Sequence, residues 1–264
     1  MQSPIITLTT DFGPDSPYVA QMKGVIYSIN PDVRIVDVTH GVAPQDIRQG
    51  AWVWRDVMHA FPSDTIHIGV VDPGVGSDRH ILCCQFDSGI FIGPDNGLIS
   101  YVAAERTLRK AVSITNRRFM RPQVSHTFHG RDIMAPAAAR LSLGTPMDDL
   151  GQPRAKLVKL LLDAPMIDEG KITGTIQFVD SFGNLLTNIP KSAVDEMPLD
   201  ARVVTQVRDH RIEGLASCYA GRPAGEPLLL VGSNGMLEIA ISGGNAAKQL
   251  GIGTGEVVEV LWDA

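Results

Sequence analysis

The sequence predicts an α/β domain built on a parallel sheet, followed by a smaller all-β domain. Two patterns and one bound lead there. Hydrophobic segments with strand and helix spacing alternate over roughly the first 160 residues in a βαβαβ order, which implies parallel strands joined by right-handed crossovers. Beyond that point the segments shorten, turn residues multiply and no long helical pattern appears. With 264 residues and 44% hydrophobic content, the chain is long enough to bury a full core as one large or two modest domains.

Ile5 to Thr9 reads as a buried strand. Tyr18 to Ile29 reads as a helix with Val19, Met22, Val25, Ile26 and Ile29 on one face, ended by Asn30-Pro31. Val33 to Val38 is the second strand, and residues near Asp46 to Ala60 suit a helix. The third strand, Thr65 to Val71, enters Asp72 and a Pro73-Gly74-Val75-Gly76 turn. Ile81 to Phe86, Ile90 to Ile92 and Ala111 to Ile114 continue the strands, with Pro94-Asp95-Asn96-Gly97 as a turn. A further helix is expected from near Ile133 to Leu143, stopped by Gly144; Pro136 should fall in its first turn, which sets the start close to Asp132. In the second domain, strands are expected over Ile172–Val179, Leu185–Ile189, Ala201–Val207, Pro227–Val231 and Val257–Leu261, a pattern of a small β-barrel or sandwich.

Charge and composition exclude several classes. A net charge of −6 without a basic cluster argues against nucleic acid. No apolar run is long enough to span a bilayer, and Met1 to Ile6 lacks the pattern of a secretory leader, so the expectation is a soluble, cytoplasmic protein. Adjacent Cys83 and Cys84 should point to opposite faces of a strand; with Cys218 they read as inert thiols.

Five segments have the residue types of a site. Asp72 ends a buried strand, and Arg79 lies seven residues on; the plainer account is a capped turn with a surface ion pair. Asp11, after the first strand, reaches the same sheet edge, where a carboxylate can accept two hydrogen bonds from a ribose diol; the plainer account is a cap for the helix that follows. His126-Thr127-Phe128-His129-Gly130-Arg131-Asp132 precedes the late helix and offers histidine, arginine and acid; no HExxH pattern or spaced carboxylate supports a metal. Asp180-Ser181-Phe182-Gly183-Asn184 and Gly232-Ser233-Asn234-Gly235 each suit a hairpin turn, and the first could also read an amine and a heterocycle.

Taken in this order, the five segments resemble the S-adenosylmethionine hydroxide adenosyltransferase family, also called S-adenosylmethionine hydrolase, whose halide-using relatives are fluorinase and chlorinase. The resemblance implies a Rossmann-like α/β domain, taken as residues 1–162, and a C-terminal β-barrel, taken as 163–264. It implies a homotrimer with active sites between one subunit's N-terminal and its neighbour's C-terminal domain. By motif, Asp72, Arg79 and His129 match the family's hydrolytic triad. Asp11 would hold the ribose hydroxyls, Asp180 and Ser233 the methionine ammonium and carboxylate, and Phe182 and Asn184 the adenosyl part. At Asn234, also taken as substrate-binding, the halide enzymes carry Arg, a departure that bears on how the carboxylate is held. The halide enzymes also differ at the positions of Asp72 and His129 and prefer a small hydroxylated residue near Val75, and fluorinases have an extra loop that this sequence lacks. Those departures favour water, giving adenosine and L-methionine with no metal or other cofactor. A halide-dependent synthase or a non-catalytic adenosyl-ligand sensor are the alternatives.

Overall fold

The structure, a computed structural model, describes residues 3–198 and 201–263; Met1 and Gln2, where the leader was sought, lie outside them. Contacts between Cα atoms divide the chain into two compact units, residues 1–162 and 163–264.

The first unit is a seven-stranded sheet with helices on both faces. Its strands are β1 (Ile5–Thr10), β2 (Arg34–Thr39), β3 (Ile66–Val70), β4 (Ile81–Phe86), β5 (Gly89–Pro94), β6 (Leu108–Ile114) and β7 (Gly151–Pro153), in the order β2-β1-β3-β5-β4-β6-β7. The first four in that order are parallel; β4 runs antiparallel to β5 and β6, and β7 to β6, so the sheet is mixed. Tight β4–β5 pairing accounts for this: only Asp87 and Ser88 separate the strands, a connection that suits a hairpin and is too short for a parallel crossover.

Helix α1 (Pro17–Ile29) begins at Ser16, whose hydroxyl caps Tyr18 N–H, and buries Val19, Met22 and Ile26 against one sheet face together with Ile6, Leu8, Ile68 and Cys83. Helix α2 (Ile47–Val57), capped by Asp46, continues into a 3₁₀ turn at Met58–Ala60. It buries Trp54 on the opposite face with Leu82, Cys84 and Phe91. Cys83 and Cys84 thus occupy separate cores. Because the chain leaves β1 across one face and reaches β3 across the other, β1 and β3 form the point where the winding reverses. Ligands of open α/β sheets sit beyond the strand ends there. A short helix α3 (Ser100–Glu105) follows the Pro94–Gly97 turn; at six residues it is too brief to show helical periodicity in sequence.

His67 lies at the centre of β3, fully buried. Its Nδ1 is 2.8 Å from Thr7 Oγ1, its ring packs edge-on to Trp54 and Phe61, and its Nε2 has no hydrogen-bond partner among the described residues. Burial lowers its pKa to about 4, so the ring is neutral at neutral pH.

The late helix departs from expectation. A π-helical turn, Gly130–Met134, precedes helix α4 (Ala135–Ser142), so Pro136 sits well inside the helical stretch rather than near its start. Pro136 cannot donate to the carbonyl of Asp132, four residues back. That carbonyl instead accepts Arg121 N–H at 2.8 Å, while Ala135 N–H bonds Gly130 O in π fashion.

In the second unit, β8 (Met166–Asp168) pairs β9 (Lys171–Val179), which is followed by β10 (Leu185–Pro190), a helical turn α5 (Lys191–Val194), β11 (Val203–Val207), β12 (His210–Glu213), β13 (Leu215–Ala216), β14 (Pro227–Val231), β15 (Met236–Ile241), α6 (Ala246–Leu250) and β16 (Val257–Trp262). The sheet runs β12-β11-β16-β9-β10-β15-β14-β13, and β12 returns to touch β14, which makes it a nearly closed barrel. Ile172, Ile176, Leu185, Leu229, Leu237, Ile239, Val258 and Val260 fill it. This decides between the barrel and the sandwich. No described helix is long and apolar enough to cross a membrane.

Candidate active site

The register of the sheet builds the first half of the site. Thr10 pairs with Val70, so the next residues of both strands leave the sheet together, and Asp11 N–H bonds Val70 O at 3.3 Å. Asp11 and Asp72 therefore stand at one edge, over a cavity of about 270 Å³ that Phe12, Gln45, Val75, Phe128 and His129 also line.

Asp72 and Arg79 form a buried pair, not a surface one: their side chains are 4% and 9% exposed. Arg79 Nε donates to Asp72 Oδ1 at 2.6 Å and Nη2 to Oδ2, a two-pronged contact that fixes the guanidinium plane. The same Nη2 donates to His129 Nδ1, 2.9 Å away. Arginine has only donors, so His129 Nδ1 is an acceptor and the neutral ring carries its proton on Nε2. Burial first, and then the Arg79 charge, hold the His129 pKa below the usual histidine range, although Asp72 and Asp132 pull the other way.

The turn between Asp72 and Arg79 is tied by Val75 N–H to Asp72 O and by Ser77 Oγ to Gly74 O. Gly76 has φ +82°, and a Cβ there would collide with the His126 carbonyl oxygen. That close approach joins the acid–arginine turn to the histidine loop.

Asp11 is not a helix cap; Ser16 does that work. Its Oδ2 accepts Gln45 N–H at 2.8 Å, with Gln45 held at φ +66°. Beside the cavity, Phe12, Tyr18 and Phe128 meet edge to face at 5.2–5.8 Å. Asp132 anchors the histidine loop from below. It is fully buried and accepts from Arg131, Arg121 and Ser125 N–H. Burial alone would raise its pKa, but the Arg131 bond, then Ser125 N–H and Arg121, outweigh it and hold the carboxyl below the usual range. Among the described residues, no group of three or more His, Cys, Asp or Glu converges as a metal site.

The remaining sequence candidates lie in the second unit. Asp180 closes the β9–β10 hairpin: Oδ1 accepts Phe182 N–H and Asn184 N–H, and Oδ2 accepts Asn184 Nδ2 at 2.9 Å. Phe182 projects into solvent, 74% exposed, beside Gly183 at φ +86°. Ser233 and Asn234 occupy the β14–β15 hairpin; Ser233 is exposed, and Asn234 Oδ1 accepts Met236 N–H at 3.0 Å. The hairpin readings of both turns hold.

Two residues of this cluster were missed in the sequence. Glu238, only 4% exposed on the central strand β15, accepts a 2.5 Å hydrogen bond from Tyr219 OH. Burial first, and then nearby Asp180, raise the Glu238 pKa, and burial together with Glu238 raises that of Tyr219. The only sequence signal was an acid inside the apolar run Met236-Leu237-Glu238-Ile239-Ala240.

The family models for the SAM hydroxide adenosyltransferase N-terminal and C-terminal domains match residues 6–151 and 174–259. A curated (R)-S-adenosyl-L-methionine hydrolase of Salinispora tropica is 38% identical, over 98% of each chain. Another of the same name, from Methanocaldococcus jannaschii, is 34% identical over 98% of this chain and 96% of that one. A fluorinase of an Actinoplanes species is 26% identical over 98% and 97%. Among solved structures, an uncharacterized conserved protein from Thermotoga maritima superposes with a TM-score of 0.91 at 34% identity, covering 97% of this chain and 99% of that one. The chain belongs to the SAM hydroxide adenosyltransferase family.

Proposed function

We propose that the protein hydrolyses S-adenosyl-L-methionine to adenosine and L-methionine, by attack of water on the ribose C5′ carbon. The observation that carries this reading is Arg79, which joins Asp72 and His129 at the cavity while Asp11 stands on the same sheet edge. Relatives named as hydrolases, 33–38% identical over nearly the whole chain, support it.

The reaction pairs a poor nucleophile with a good leaving group. Methionine departs as a neutral thioether, so no acid is needed to protonate it. Positive charge on sulfur disappears as the C–O bond forms, and a cavity that excludes bulk water favours that change. The site's task is to hold the water in line and take its proton. His129 Nε2–H donates to the water oxygen. Its only lone pair is engaged by Arg79, which leaves Asp72 as the proton acceptor. Arg79 holds both groups in place and stabilises developing hydroxide. Proton acceptance of this kind contributes roughly 10²–10⁴-fold, and in-line positioning up to about 7–11 kcal/mol. Asp11 binds the ribose hydroxyls. Asp180 and Ser233 hold the amino-acid end, and Phe182 and Asn184 the adenosyl part.

The assembly is a homotrimer in which each site is completed by a neighbour's C-terminal domain. The reaction runs in the cytoplasm without a metal or other cofactor. Ultracentrifugation of the purified protein at three times the mass of one 28.4 kDa chain is the expected result. Halide synthesis is the weaker reading, since relatives named fluorinase are only 24–27% identical.

Incubation with S-adenosyl-L-methionine in ¹⁸O-water should yield adenosine with the label in its 5′-hydroxyl. Unlabelled adenosine, or intact substrate as for a sensor, would refute the mechanism. A 5′-halo-adenosine formed only with added chloride would favour the halide reading. Gly76→Ala should lower kcat/KM by roughly 10²-fold through displacement of the Asp72–Arg79 turn from the histidine loop. Steady-state kinetics on the folded variant check this.

A further inference from the structure

Val71 lies between the last residue of β3 and Asp72, fully buried and past the last paired position of the strand. A buried carbonyl there needs a donor from outside the ladder. Asn96, in the turn after β5, supplies it: Nδ2 donates to Val71 O at 2.8 Å, while Oδ1 accepts Leu98 N–H at 3.2 Å. A carbonyl needs a donor and an N–H an acceptor, so these two partners fix which way the amide faces. Asp95, one residue earlier, donates its N–H to His80 O at 2.9 Å. Val71 directly precedes Asp72 and His80 directly follows Arg79. Two consecutive residues of one turn therefore hold both ends of the acid–arginine loop.

The turn is itself anchored. The buried Asp95 carboxylate accepts Val158 N–H at 2.7 Å on Oδ1 and Arg154 Nη2 at 3.1 Å on Oδ2. Ser100 Oγ accepts Leu160 N–H at 2.8 Å and donates to Gly97 O at 2.6 Å. Gly97 has φ +98°, and a Cβ there would lie 2.8 Å from the Leu160 side chain. The segment that closes the first unit is thus laid directly on this turn.

We propose that Asn96 is a positioning residue of the hydrolytic site: by holding the Val71 carbonyl it sets the direction in which Asp72 leaves the strand. The proposal rests on the hydrolase reading for its kinetic effect. The contact of Arg79 with Asp72 fixes those two groups to each other, but both belong to one loop and could move together. Asn96 ties that loop to the sheet edge where Asp11 stands, so the carboxylate, the water and the ribose share one frame. A misplacement of about 1 Å in such a group can cost roughly 10²-fold in rate.

Asn96→Asp is the sharpest test, because it has nearly the same shape and keeps an oxygen for Leu98 N–H. It replaces the donor with an acceptor facing the Val71 carbonyl oxygen. The expected result is a kcat about 10²-fold lower, with the calorimetric affinity for adenosine within about threefold of the native value. Combination with Asp72→Asn distinguishes positioning from general damage. With the carboxylate gone there is nothing left to position, so adding Asn96→Asp to Asp72→Asn should change the single-turnover rate by less than about threefold. A folded Asn96→Asp enzyme of near-native kcat overturns the proposal, as does an equal loss in both backgrounds; either leaves the hydrolase reading standing. A third readout needs no turnover. The NMR resonance of Arg79 Nε–H, identified by its absence from Arg79→Lys, should move in Asn96→Asp towards that of a free guanidinium. An unmoved resonance overturns the proposal. A protein that hydrolyses nothing but shows the moved resonance loses the hydrolase reading and keeps the role of Asn96 in placing Asp72.

Discussion

Asp72→Ala is expected to lower kcat by about 10³-fold or more while adenosine still binds with nearly unchanged affinity. The carboxylate does two things at once: it is the proposed proton acceptor, and it fixes the guanidinium that in turn fixes His129. Loss of the acceptor alone accounts for roughly 10²–10⁴. The substitution also leaves Arg79, 9% exposed, without its counter-charge. Removing one partner of a buried pair costs about 3–5 kcal/mol, so the thermal midpoint should fall as well. Asp72→Asn separates the two effects. It keeps the volume and one acceptor oxygen but cannot take a proton, so it should be as inactive as Asp72→Ala while more stable. The check is single-turnover adenosine release alongside calorimetric titration with adenosine. An Asp72→Asn enzyme of near-normal rate would remove Asp72 from the chemistry.

The second large effect concerns stability and acid. His67 is fully buried at the centre of the sheet, and its folded pKa of about 4 lies below the ordinary value of 6.5. The folded state therefore binds fewer protons than the unfolded state between these two values. Stability from this group is complete above pH 6.5, declines as pH falls towards 4, and changes no further below that. A shift of this size corresponds to about 3 kcal/mol. Urea unfolding near pH 7 and near pH 4.5 should show that loss in the native protein, on top of contributions from carboxylates. His67→Gln cannot titrate, so its midpoint should drop less between the two conditions. Equal pH slopes for the two proteins would show that His67 is not the group responsible.

What the sequence disclosed follows from the range of the interactions. Periodicity exposed α1 because Val19, Met22 and Ile26 repeat against one face, and it exposed β3 because the strand is apolar throughout. It did not expose α3, which is too short, or the antiparallel turn of β4, which depends on pairing and not on the strand's own residues. In the candidate site, Asp11, Asp72 and His129 were visible as polar residues at element ends. That the Arg79 guanidinium connects Asp72 to His129, which lies fifty residues beyond Arg79, belongs to tertiary structure. Glu238 escaped notice because its meaning comes from Tyr219 and Asp180, neither of them near it in the chain.

The π turn at Gly130–Met134 has a consequence for how this protein varies through evolution. A π turn holds one more residue than the α-helical turn it replaces. Each residue of an α-helix advances the chain by about 100° around the axis, from 3.6 residues per turn. Losing a single residue between 130 and 134 would restore regular winding and swing everything upstream by that angle, carrying His129 away from Arg79. A one-codon deletion here acts on the whole histidine loop at once, whereas a point substitution acts only through its own contacts. Descendants of this gene are therefore closely restricted in the number of residues in this stretch, and at Asp132, which anchors the histidine loop, in identity as well.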